Sequence, residues 1–179
     1  MKKSILSIIA IALFGVIAFS SCEKTSTRAD MLTVEKGWVL EAATCPEGYG
    51  ANNVTDLMEM FTNGGGYEND DIIKFQAEGN KQYINAGATR YDFEGEGDYY
   101  VGTWELNEDE TVLSCQLPMF KAAEGAPETE IYSAAKEECN IISMDKDKMV
   151  LSHTFTVAPG NAKWQAGTWT FQFTYVRAK

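Results

Sequence analysis

Reactive side chains are scarce in this chain, and their types limit the chemistry open to it. The 179 residues include four cysteines and one histidine, so nucleophilic or general-base chemistry would have to draw on Cys22, Cys45, Cys115, Cys139 or His153. His153 shares a period-two face with Met149, Leu151, Phe155 and Val157, the pattern of a strand turned toward a core. A general base needs a positioned partner and a polar cleft, so a hydrogen-bonded core histidine, or one lining a pocket, fits this setting better. The cysteines include no CxxC pair, and with a single histidine their spacing does not describe a zinc site. No GxSxG elbow and no phosphate loop occur; Gly64, Gly65 and Gly66 lack the lysine and the strand context such a loop requires. Asp92, Glu94, Glu96 and Asp98 offer carboxylates at every second position, a calcium-like oxygen set, but without EF-hand spacing they read as a solvated hairpin tip. Asp145 and Asp147 alternate with lysines in a turn and read as solvated. The expectation is a protein without catalytic residues, metal or cofactor.

Cys22 stands apart from the other thiols. Met1-Lys2-Lys3 precedes an apolar run from Ile5 to Phe19, and Ser20-Ser21-Cys22 follows. A positive start, an apolar stretch too short for a comfortable membrane span and a small-residue cleavage site make residues 1–21 a signal peptide. A cysteine directly after the small residues looks like a bacterial lipobox, with Phe19 at a position where Leu or Val is commoner. Cys22 is then the lipidated first residue of the mature protein, and each buried acyl methylene adds about 0.8 kcal/mol of membrane attachment. The expected address is the cell envelope, lipid-anchored and at the outer membrane, on its periplasmic or surface face.

The full chain carries a net charge of −11, and the leader contributes Lys2 and Lys3 without an acid, so the mature part is near −13. No basic patch exists for nucleic acid, and such a charge repels anionic head groups, which leaves the lipid to hold the membrane. Removing residues 1–21 leaves 158 of the 179 residues, enough for one domain with its own core. Cys45, Cys115 and Cys139 remain, an odd number that allows one disulfide. Cys115 and Cys139 face each other if the strands around them pair antiparallel across the connection between them, and buried free thiols are the alternative.

Residues 22–34 read as the lipidated cysteine and a polar tether, and residues 35–179 as the domain. A first strand over 35–43, with Trp38, Leu40 and Ala42 on one face, is expected to stop at Cys45-Pro46-Glu47-Gly48. Val54, Leu57, Met58 and Phe61 recur at helical spacing over 53–62, with Asn53 as N-cap and the glycines after Asn63 as terminator. Short strands follow over 71–77, 81–86 and 89–94. The segment 97–115 reads as a hairpin, with Tyr100, Trp104 and Leu106 on one face, Val101 and Thr103 on the other, and Gly102 marking a bend, a bulge or a close approach of backbone. Residues 118–130 lose their pattern, and 131–137 fit helix or strand. Strands over 138–144, 149–157 and 167–176 complete the chain, the last two alternating apolar and polar residues throughout.

These motifs together, Gly37-Trp38, DDIIKF with its EGN turn, GTWELNEDETVL and SMDKDKMVLS, resemble the lipocalin-like domains of Gram-negative lipoproteins. The resemblance covers roughly residues 35–177. It implies an all-β, mainly antiparallel, up-and-down barrel of about eight strands, here with one short helix between the first and second strands. Such a barrel is either filled by side chains or wide enough for one small ligand. The residues that would line a pocket are Trp38, Phe75, Trp104, His153, Phe155, Trp169, Phe171, Phe173 and Tyr175. Trp164, in a loop, would cap one end or meet a partner. The leading expectation is non-catalytic binding of a small apolar ligand by a membrane-tethered barrel; the alternative is an interaction module that engages a protein or glycan through its loops.

Overall fold

The computed structural model describes residues 27–58, 71–85, 97–117, 133, 135–160 and 165–179. Ten antiparallel strands, β1 (Trp38–Tyr49), β2 (Val54–Asp56), β3 (Ile72–Gln76), β4 (Lys81–Asn85), β5 (Asp98–Thr103), β6 (Glu105–Leu106), β7 (Val112–Cys115), β8 (Glu137–Met144), β9 (Lys148–Val157) and β10 (Gly167–Arg177), form one sheet. Its order is β5-β4-β3-β1-β10-β9-β8-β7-β6, with β2 paired to the far end of β1. The sheet curls into a nearly closed barrel, so the chain is an all-β barrel.

The alternation read in the last two strands holds through the whole β9–β10 ladder, from Gly167↔Val157 to Val176↔Lys148. Met149, Leu151, Phe171, Phe173 and Tyr175 are buried, while Thr154 pairs with Thr170 and Thr156 with Thr168 through hydroxyl hydrogen bonds on the outer face. Continuity of β1 through Cys45-Pro46-Glu47-Gly48 corrects the expected stop. A register shift between Leu40 and Ala42 inserts an extra residue against β10, so that Ala43 and Cys45, not Ala42, follow Trp38 and Leu40 into the core. A bulge of this kind turns over every side chain beyond it.

The helix expected over 53–62 starts later. Asn53 has a φ of 51° in a tight turn whose Asn53 N–H donates to the Gly50 carbonyl, and Val54–Asp56 return along β1 as β2. Asp56 then accepts from the Met58 amide at 3.0 Å, the role foreseen for Asn53, and Met58 is helical; residues 59–62 lie outside the described residues. A different helix, α1 (Arg28–Leu32), stands in the stretch read as tether. Thr27 and Asp30 form a capping box, and Leu32 is fully buried. The Trp38 indole donates to the Leu32 carbonyl at 2.9 Å, and the Arg28 amide donates to Glu110 Oε2 at 2.7 Å. A five-residue helix with one buried side chain is too short to show a period, and this is why the sequence hid α1.

The segment 97–115 departs most from its reading. β5 and β6 follow one another in sequence yet lie at opposite edges of the sheet, so the chain passes from one edge to the other at Thr103-Trp104. β6 and β7 do form the expected hairpin, around Asn107–Glu110. A register shift opposite Gln82 and Tyr83 leaves Val101 unpaired, which puts Tyr100 outside at 56% exposure while Trp104 is buried. Gly102 does lie at a close approach: a Cβ there would stand 2.2 Å from the Gln116 amide group. That contact belongs to the barrel's seam. Gln82, fully buried, donates from Nε2 to the Gln116 carbonyl at 2.8 Å and accepts from the Gln116 N–H at 2.9 Å. A side-chain amide of β4 thereby gives the Gln116 backbone, just beyond β7, the partners a neighbouring strand would supply, and the Trp104 N–H donates to the Asn80 carbonyl at 2.8 Å.

Candidate functional site

Antiparallel alternation sorts the barrel's two ends. At one end lie the start of β1, the end of β10, the turns 77–80, 107–111 and 145–147, and α1, which closes it. From the other end leave the connections 50–53, 57–71, 86–97, 116–136 and 158–166. This second end is the mouth. The 116–136 connection starts and finishes at neighbouring points: Ser133 and Leu117 exchange an N–H to carbonyl bond at 2.9 Å and an N–H to hydroxyl bond at 3.0 Å.

The inward faces of β9 and β10 change character between the two ends. Near α1, Met149 and Leu151 are each only 1% exposed and Phe173 and Tyr175 only 2%; this half is filled. Trp38, Phe75 and Trp104 belong to the same packed half, the Trp104 indole donating to the Gln76 carbonyl at 2.9 Å. Of the nine residues named as pocket candidates, these five are core. Toward the mouth, His153, Phe155 and Trp169 are half-buried, beside a buried Phe171. Phe155 meets Phe171 edge-on at 4.6 Å between ring centroids, and Tyr49 lies edge-on to Trp169 at 5.0 Å and to Phe171 at 5.7 Å. Edge-to-face contacts at these spacings make a stiff aromatic wall.

His153 is the polar element of that wall. Its ring stacks on Phe155 at 5.9 Å and 10°. Nδ1 lies 2.9 Å from the Glu138 carbonyl, so it carries the proton and donates, and this fixes Nε2 toward Glu137 Oε2 at 3.6 Å. The side chain keeps 13% of its surface exposed. Glu137 lies opposite the Cys115 thiol on the paired strand, but that thiol is held protonated, and among the described residues no cluster of three metal-binding side chains occurs. The His153–Glu137 pair can offer a hydrogen bond to the polar end of a guest. The calcium-like set lies outside the described residues except Asp98, which is bound by Lys74 at 2.9 Å and by Asn85 at 2.8 Å. Against the upward push of burial, these two partners hold its carboxyl below the usual range.

Cys115 and Cys139 lie on paired strands, both inward and buried, with Leu113 opposite Cys139 and Cys115 opposite Glu137. They are free thiols one diagonal step apart, not a disulfide. The hydrogen bond its S–H makes to Cys139, then burial, hold the Cys115 thiol well above its ordinary range, the opposite of what a reactive cysteine needs. Cys45 is likewise free and buried. Two mouth residues carried no sequence signal. Tyr49 lay beyond the expected end of β1. Gln165 accepts from the Ala51 amide at 3.0 Å, while its own N–H donates to the Tyr49 hydroxyl and its carbonyl accepts from the Trp169 indole, both at 3.1 Å. It ties the 158–166 connection to the β1–β2 turn, where Gly50, with a φ of +72°, leaves room for its amide. Trp164 and Cys22 lie outside the described residues. No family model, no curated protein and no solved structure matches the chain.

Proposed function

We propose that the protein is a lipid-anchored, lipocalin-like barrel of the cell envelope that holds a small, mostly apolar molecule in an aromatic cup at its mouth, without catalysis. A contrast along β9 and β10 carries this reading: the same inward face is filled at Met149, Leu151, Phe173 and Tyr175 and only partly buried at His153, Phe155 and Trp169, with Val157 buried again beyond them. A barrel packed through its whole length would bury all of these equally. Partly buried aromatic surface at the end of a concave sheet favours an apolar guest, and the His153–Glu137 pair favours one with a hydrogen-bonding end. Attachment through Cys22 follows from the lipobox.

Native mass spectrometry of residues 23–179, followed by organic extraction, tests the binding. A reproducible co-purifying apolar mass supports it, and Phe155→Ala should abolish uptake while leaving the fold intact. A bare protein that takes up nothing from a panel of lipids and bile salts would overturn it.

A further inference from the structure

We infer that the protein sits on its bilayer with the α1-closed end inward and the mouth pointing into the aqueous phase, so that guests exchange with solution and are not drawn laterally from the membrane. This rests on the proposed lipidation of Cys22 and goes beyond it. Residues 23–26 are all that separate Cys22 from Thr27, the cap of α1, and the five peptide steps from Cys22 to Thr27 span at most about 18 Å. α1 is fixed to the closed end by three contacts. Leu32 is buried in the core, its carbonyl accepts from Trp38 at the start of β1, and the Arg28 amide donates to Glu110 of the β6–β7 turn. The tether therefore leaves the fold at the end opposite the mouth.

Barrel height then decides the orientation. β1 runs 12 residues, about 40 Å of strand or about 30 Å along the axis of a barrel whose strands tilt by about 40°. An inverted barrel would need its tether to cover that height, and about 18 Å does not. Charge disfavours the remaining alternative, a barrel lying on its side. In sequence, the connections 57–71, 86–97, 116–136 and 158–166 carry ten acids against Arg90, Lys121, Lys136 and Lys163. The segments at the closed end carry Arg28, Lys36, Lys81, Lys146, Lys148, Arg177 and Lys179 against Asp30, Glu35, Glu78, Glu108, Asp109, Glu110, Asp145 and Asp147. An anionic head-group surface therefore repels the end these connections leave from more strongly than the closed end.

Two single-site labels test this on the full processed protein, expressed with its leader in a Gram-negative host and reconstituted into phosphatidylcholine–phosphatidylglycerol vesicles carrying a nitroxide on the head group. Lys146→Cys lies in the exposed β8–β9 turn at the closed end, and Asn52→Cys in the exposed β1–β2 turn at the mouth; the buried Cys45, Cys115 and Cys139 stay unlabelled in the folded protein. Loss of fluorescence at position 146 and none at 52 is expected. Quenching at 52, alone or equal to that at 146, overturns the orientation while leaving the anchor in place. The mass of the N-terminal peptide separates the two claims: an unacylated Cys22 overturns the anchor, and the orientation with it.

Discussion

Gln82 and Gln116 are both buried at the barrel's seam, and the structure assigns them opposite energetic roles. Gln82→Met keeps the side chain's length and apolar stem, so no sizeable cavity forms. It removes both partners of the Gln116 backbone, the 2.8 Å bond to its carbonyl and the 2.9 Å bond from its N–H. Two buried backbone groups left unsatisfied cost about 1–3 kcal/mol each, so Gln82→Met should destabilise by about 4 kcal/mol, a drop of about 10 °C in Tm for a domain of this size. The Gln116 side chain does not take part in the clamp, and its Oε1 is buried without a hydrogen-bond partner among the described residues. Gln116→Met keeps the clamp and removes an unsatisfied acceptor, so it should be neutral or stabilising. Urea unfolding followed by tryptophan fluorescence measures both. Gly102→Ala adds a third reading, because its Cβ would collide with the Gln116 amide: the alanine should destabilise beside Gln116 and much less beside Gln116→Ala, a coupling visible in a double-mutant cycle. A cost below about 1 kcal/mol for Gln82→Met, or a larger one for Gln116→Met, would refute the assignment of seam closure to the Gln82 amide.

Truncating Leu32 to alanine should cost about 2–4 kcal/mol in the same assay, whereas a residue in a free tether would cost nothing. Raising pH tests the buried thiol. Cys115 has a native pKa held above its ordinary value of 9.0, so below that value folded and unfolded chains bind the same proton and its contribution is fully present. Above it the unfolded thiol ionises first, and stability falls by up to about 1.4 kcal/mol per pH unit. Cys115→Ala should flatten that alkaline slope; an unchanged slope would remove the explanation. Iodoacetamide should label Cys115 and Cys139 only after unfolding, equally with and without reductant. Reductant-dependent labelling would mean that a disulfide forms.

The sequence revealed the fold where one side of a strand meets the core and the other meets water. β9 and β10 alternate over ten paired positions, and no helix or loop reproduces that period, so their extent and inward face were readable almost to the residue. β1 was readable only up to its bulge: once Glu41 is inserted, the alternation restarts out of phase, and Cys45-Pro46-Glu47-Gly48 look like a turn although the strand runs on through them to Tyr49, which pairs with Val54. β5 and β6 failed for a different reason. Their residues alternate well enough for one strand, and nothing local says that the sheet has run out and that the next residues must pair with its other edge. That information lies in the closure of the barrel, which places Gln82, 34 positions away in sequence, against Gln116. A glutamine between Lys81 and Tyr83 in a short strand reads as solvent-facing, and it turns inward here because the seam supplies a backbone donor and acceptor at the right spacing.

The candidate site shows the same limit from the other side. Period two tells which residues share the inner face, and all nine proposed pocket residues do point inward or into the core. It does not tell how deep each one lies. Depth is set by the ends: α1 stoppers the half that contains Trp38, Phe173 and Tyr175, and the β1–β2 turn and four longer connections leave from the half that contains His153, Phe155 and Trp169. The stopper was the element least visible in the sequence, since its one buried side chain, Leu32, has no periodic partner. A barrel whose closed end was left to a flexible tether would expose Trp38 and Tyr175 to water, and the aromatic face would be open from both sides. With α1 in place the inner face has a floor, and among the described residues its partly buried aromatic side chains, Phe155 and Trp169, lie beside His153 at the other end. The helix that stands in the stretch the sequence reads as tether is therefore also what confines the candidate site to the opposite end of the molecule.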